Sequence, residues 1–118
     1  MEQDRALSEK IQFSDFLKVD IRAGTIIKVE DYPEARKPTY KLEIDFGPLG
    51  IKRSSAQITH HYSKEELLGK QIMAVVNFPP KQIGKFVSEV LVLGMPDEIE
   101  MVVLAGLTKR VSNGSRLF

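Results

Sequence analysis

The sequence predicts an all-β domain: a five-stranded barrel with a short helix between strands three and four and a C-terminal extension used for dimerisation. Three observations lead there. Runs of alternating apolar and polar residues recur along the chain, as half-buried strands require. One stretch after the third run carries helix-capping spacing instead. With 118 residues, 42% hydrophobic and 28% charged side chains, the chain suffices for one ordinary core but not two.

The first strand covers residues 19–29, with Val19, Ile21, Ala23, Ile27 and Val29 on the apolar side and Asp20, Arg22, Gly24 and Lys28 on the other. Asp31 to Pro38 holds two prolines and the adjacent cations Arg36 and Lys37, so it must leave the ladder and form a long basic loop. Alternation returns with Tyr40, Leu42, Ile44 and Phe46 inward and Thr39, Lys41, Glu43 and Asp45 outward. Gly47-Pro48-Leu49-Gly50 then supplies the turn of a hairpin. Its second arm, residues 51–58, directs Ser54, Ala56 and Ile58 one way and Arg53, Ser55 and Gln57 the other.

Ser63 to Glu66 has the spacing at which the serine accepts from the N3 amide while the glutamate reaches back to the N-cap amide, and Leu67, Leu68 and Gly69 complete a short helix. Residues 71–78 are apolar on both faces, which predicts a strand covered on both sides. Pro79-Pro80 halts it, Lys81 to Lys85 forms a second basic loop, and Phe86 to Leu93 is strand five. Met101 to Leu107 is a further apolar run after the Met95 to Glu98 turn. The tail carries an Asn113-Gly114 turn signal and ends on Leu117 and Phe118.

Several chemistries are excluded or disfavoured. With no cysteine, there is no disulfide, thiolate zinc site or cysteine nucleophile. His60-His61 would point to opposite faces of an extended strand, with no further histidine or cysteine to complete a metal site. Asp97, Glu98 and Glu100 read as a solvated turn. Ser54-Ser55 lacks a nucleophile elbow and no phosphate-binding glycine motif occurs, so neither an enzyme nor a cofactor is expected. Met1 to Lys10 is charged, without the apolar core of a leader, and no run is long enough to span a membrane; a cytoplasmic protein without membrane insertion is expected.

Three strands, a short helix and further strands is the order of an OB-fold barrel, whose ligand face is formed by strands two and three between the one–two and four–five connections. Arg36, Lys37, Lys81 and Lys85 fall on those connections, and Arg53, Ser55 and Gln57 lie between them. Such a groove, cationic at its rims and neutral in its middle, holds a phosphate backbone by charge and unpaired bases by amide and hydroxyl contacts. The formal net charge is only +1, so any such affinity must come from local placement. From spacing alone, two lysine-rich solvated loops are an equal alternative.

Val19 to Ile26 resembles the opening of the tRNA-binding domains attached to some methionyl-tRNA synthetases. Lys37 to Gly47, Ser54 to Thr59, Ala74 to Pro80 and Ser88 to Gly94 are similar to the free-standing CsaA-like branch of that family. The resemblance runs from about Gln12 to Phe118. It implies an OB fold, a homodimer, cytoplasmic residence, tRNA binding, and chaperone activity toward unfolded precursor proteins, with the secretion motor as a further candidate partner. By position it adds Asn77, Ser88 and Glu89 to the groove, with Lys81 and Lys85 as phosphate contacts. Where relatives carry a glycine–methionine pair after the serine position, this chain has Val90-Leu91.

The sequence also carries an apolar surplus. Met73 and Val75 face away from the other apolar residues of their strand, and Met101, Val103, Leu117 and Phe118 need cover. A lone barrel has one inside, so these six are the expected dimer or peptide-binding surface.

Overall fold

The computed structural model describes residues 6–118; Met1 to Arg5, the start of the charged leading stretch, lie outside the described residues. A helix α1 (Phe13–Leu17) precedes β1 (Ile21–Asp31), β2 (Tyr40–Asp45), β3 (Ile51–Ala56), α2 (Lys64–Leu67), β4 (Gln71–Val75), β5 (Lys81–Ile83), β6 (Phe86–Ser88), β7 (Leu91–Val92), β8 (Gly94–Pro96) and β9 (Val102–Leu104). The main sheet is antiparallel, in the order β3-β2-β1-β4-β7, and curls into a nearly closed barrel. No helix among the described residues is long and apolar enough to cross a membrane.

Strand β2 follows the expected alternation: Tyr40, Leu42 and Ile44 are buried, Phe46 continues the inward row, and they pack with Ile26, Ile72, Ala74 and Leu67 in one cluster. Removing such a side chain from water stabilises the fold by roughly 1.5–3 kcal/mol. The capping box forms as its spacing predicts. Ser63 Oγ accepts from the Glu66 N–H at 3.1 Å, and the Glu66 carboxylate accepts from the Ser63 N–H at 3.0 Å. The Ser63 amide holds the Glu66 carboxyl below its ordinary value. This short turn of helix places Leu67 in the barrel core.

The facing of β1 differs from the strict alternation. Its first half pairs with β4 and its second half with β2, and the register shifts between Ile26 and Lys28. Ile26 is therefore fully buried at 0% exposure while Ile27, expected inward, stands 42% exposed. Gly24, expected on the polar side, faces the core: a Cβ there would sit 2.7 Å from Ile44 Cγ2 and from the Phe46 ring. A bulge turns the strand over, and a period-two reading cannot see it.

Two further segments depart from expectation. Lys81 to Lys85 is not an irregular loop, because Lys81–Ile83 and Phe86–Ser88 pair as a hairpin, and the expected fifth strand breaks into β6 and β7. The two-residue turn has Gly84 at its first central position with φ +62°, a conformation that favours glycine. Of the Met101 to Leu107 run, only Val102–Leu104 is strand, paired with β8. The tail folds back on its own chain: Ala23 N–H donates to the Ser115 carbonyl, Gly114 N–H to that of Ala23, and Leu117 N–H to that of Ile21. Its backbone is thus paired along β1 within a single copy.

Candidate functional site

Strands β3 and β7 are the two edges of the sheet, and they face each other across the seam of the barrel. Near Arg53 the seam is closed by one main-chain bond, from Glu89 N–H to the Arg53 carbonyl at 2.7 Å. Two side chains do the rest: Glu89 Oε1 accepts from the Arg53 N–H at 3.0 Å and Ser88 Oγ from the Ser55 N–H at 3.2 Å. Beyond Ser55 the edges diverge into a slot of about 970 Å³.

The slot gathers Arg36, Lys37, Ser55, Gln57, Lys81, Ser88 and Glu89 into one site, and most of its remaining wall is apolar. Phe78, Pro79, Ile83 and Leu91 supply much of that wall, while Val102 and Leu104 of β9 also line it. Arg36, Lys37 and Lys81 are exposed, as are Phe78, Pro79 and Leu91, while Ile83, Val92, Val102 and Leu104 form a half-buried part of the apolar wall.

What holds the two rims together is an aromatic hinge that sequence reasoning missed. Tyr32, buried in the first loop, donates its hydroxyl to the Ile83 carbonyl at 2.6 Å and its ring lies 5.9 Å from that of Phe86. Lys41 sits over the Tyr32 ring at 5.3 Å and Arg53 over the Phe86 ring at 5.1 Å, so cation–π contacts flank the aromatic pair from both sides. A Cβ on Gly84 would meet the Tyr32 hydroxyl at 2.5 Å, so the glycine is needed for the approach as well as for the turn. The only sequence signal was an aromatic residue inside the first predicted loop and another directly after the second, which core packing equally explains.

The histidines lie in a turn rather than on a strand, with their rings edge-on at 4.8 Å, which corrects the opposite-face expectation. His61 Nε2 lies 2.6 Å from Asp97 Oδ2. Asp97 caps its own turn, accepting from Ile99 and Met101, and the hydrogen bond with Met101 followed by that with His61 holds its carboxyl below the ordinary range. No cluster of three or more metal-ligating side chains occurs among the described residues.

A family model described as "Putative tRNA binding domain" matches residues 21–116. The crystal structure of chaperone CsaA from Bacillus anthracis str. Ames is 51% identical, with a TM-score of 0.88 over 93% of this chain and 100% of that one. The chain belongs to the tRNA-binding-domain family, in its CsaA branch. CsaA chaperone protein from Picrophilus torridus is also 51% identical, with a TM-score of 0.86 over 92% of this chain and 100% of that chain. Methionine–tRNA ligase of Porphyromonas gingivalis is 40% identical over 95 residues, which are 80% of this chain. The chain spans only 14% of that ligase's length.

Three residues carried over from the tRNA-binding-domain family have structural partners here. Ser88 and Glu89 close the seam, as described. Asn77 Oδ1 accepts from the Asp20 N–H at 3.0 Å and its Nδ2 donates to the Lys18 carbonyl at 2.7 Å, tying the segment after α1 to the end of β4. Lys85 sits exposed at the hairpin tip and Arg53 lies against Phe86; neither lines the slot. On the apolar side, Val75 is already covered within the chain at 4% exposure, so it offers nothing to a partner. Met73 and Leu117 line a second cavity of about 370 Å³ beneath the tail, together with Phe118. Met101, Val103, Leu117 and Phe118 remain exposed.

Proposed function

We propose that this protein is an export-related chaperone of the cytoplasm that acts by binding, not catalysis, holding unfolded precursor segments in the slot between β3 and β7. The observation that carries this reading is the composition of the slot, whose walls are mostly carbon, with the exposed cations Arg36, Lys37 and Lys81 among them. Unfolded segments offer apolar side chains and a free backbone, which such a cleft can accept. The likeness to proteins described as chaperone CsaA supports it.

A homodimer belongs to the same proposal. Met101 and Val103 at β9, and Leu117 and Phe118 of the tail, are exposed apolar residues. A specific pairing there would remove on the order of 1,200–2,000 Å² of surface. Sedimentation equilibrium is expected to give the dimer mass at micromolar concentration, and a monomer at every concentration would remove this part of the proposal.

A second reading, binding of tRNA, is favoured by the placement of Arg36, Lys37 and Lys81 along one rim system and by the family itself. The two ligands separate by salt. RNA held by several cations weakens steeply as salt rises, while an apolar client is retained or held more tightly. The double variant Lys81→Ala/Lys85→Ala is expected to lower tRNA affinity and flatten its salt slope by about one to two units while reducing protection of a denatured client from aggregation far less. Unchanged tRNA binding would remove these lysines from the RNA site. Loss of client protection in the variant would show that clients, too, are held by charge.

A further inference from the structure

The seam gives the slot a second property, one that concerns the backbone of whatever occupies it. In β3 the residues facing the seam are Arg53 and Ser55, since successive residues of an extended strand turn their N–H and C=O groups to opposite edges, and Gln57, the first residue beyond the strand, continues the same alternation. The first two have substitutes for a neighbouring strand. Glu89 offers a carboxylate oxygen and its own N–H to Arg53, and Ser88 offers a hydroxyl to the Ser55 N–H. At Gln57, which is exposed and lines the slot, no main-chain hydrogen bond is formed among the described residues. The edge therefore runs from capped to bare as it enters the cavity. Across the cavity stands β7, which among the described residues has a hydrogen-bonded neighbouring strand on its β4 side only.

We infer that the occupant is an extended polypeptide captured main chain to main chain along the edge that continues β3 at Gln57, adding a strand where Ser88 and Glu89 stop substituting for one. An unpaired sheet edge is a template for another strand, and main-chain pairing gives affinity with little dependence on sequence. The walls suit the side chains of such a strand. Those on one face meet Phe78, Ile83 and Leu91, and acidic residues toward its ends meet Arg36, Lys37 or Lys81. A promiscuous client site needs this combination, since every polypeptide carries the same backbone. The inference rests on the client-binding reading and specifies how that site works.

The test uses the full chain and a short synthetic peptide of alternating valine and threonine with acidic ends, made in three forms. One is unmodified, and the others carry N-methyl groups on the odd or the even residues, which removes the amide donors from one strand edge at a time. Affinity is measured by titration calorimetry, and the exchange of the Gln57 amide proton by NMR with and without saturating peptide. The expected result is a loss of about tenfold or more in affinity for at least one methylated form, together with slowed exchange at Gln57 under the unmodified peptide. If all three peptides bind equally, or if Gln57 exchange is unchanged at saturation, strand addition is overturned while client binding in the slot still stands. If the unmodified peptide does not bind and denatured clients are not protected, both readings fall. If tRNA slows Gln57 exchange and the peptide does not, the bare edge serves the nucleic acid and strand addition is likewise overturned.

Discussion

Between β2 and β3 six residue pairs run in unbroken register from Tyr40 opposite Ala56 to Asp45 opposite Ile51, whereas across the seam β3 meets residues 88 and 89 through one main-chain and two side-chain hydrogen bonds. The first contact is a continuous ladder lying over Leu42 and Ile44; the second is short and opens into a cavity. A barrel that closed everywhere by ladder would have no edge to offer and no cleft. Here the ladder side carries the stability and the side-chain seam leaves room for a ligand.

Substitutions on the two sides should therefore separate folding from binding. The largest effect is expected on the ladder side. Phe46→Ala empties a fully buried site and should cost about 3–5 kcal/mol in urea unfolding, with binding lost only in proportion to the unfolded fraction. Next comes Gly84→Ala, which places a Cβ against the Tyr32 hydroxyl on a left-handed backbone; about 1–3 kcal/mol is expected. Because that contact joins the two rims, slot affinity should fall even in fully folded protein. A Gly84→Ala protein that binds normally would break the link between the aromatic hinge and the site.

The smallest change belongs to the seam. Ser88→Ala removes one neutral hydrogen bond, so about 1 kcal/mol is expected, while exchange of the Ser55 amide should quicken well beyond that of Ser54 or Ala56 on the same strand. Equal destabilisation by Ser88→Ala and Phe46→Ala would mean that the seam is as cooperative as the ladder, and the contrast would disappear.

Much of the barrel was legible along the chain. Tyr40 to Phe46, the Ser63 capping box, and the inward Ser54, Ala56 and Ile58 lie as their periods and spacing predict, because each is a local consequence of backbone geometry. The cations of the site were legible too, since Arg36, Lys37 and Lys81 fall on the connections that an OB barrel brings to one face. Phe78, Leu91 and the Tyr32–Phe86 pair were not singled out as site residues, because an apolar residue bounding a slot has the same sequence signature as one filling a core. The α1 helix also passed unseen: its Asp15 carboxylate accepts from the Gln12 N–H at 2.9 Å, but a five-residue turn gives too few repeats for a period to show.

By itself the sequence determined which residues alternate, where the chain must turn and where charge collects, since those depend on neighbours a few positions apart. Only the tertiary structure decided that Ile26 rather than Ile27 enters the core, that Ser88 and Glu89 act as a strand for β3, and that the tail pairs with its own β1. Each of these depends on a register shift or on a contact between residues far apart in the chain. Local periodicity carries no information about which distant edge a segment will meet.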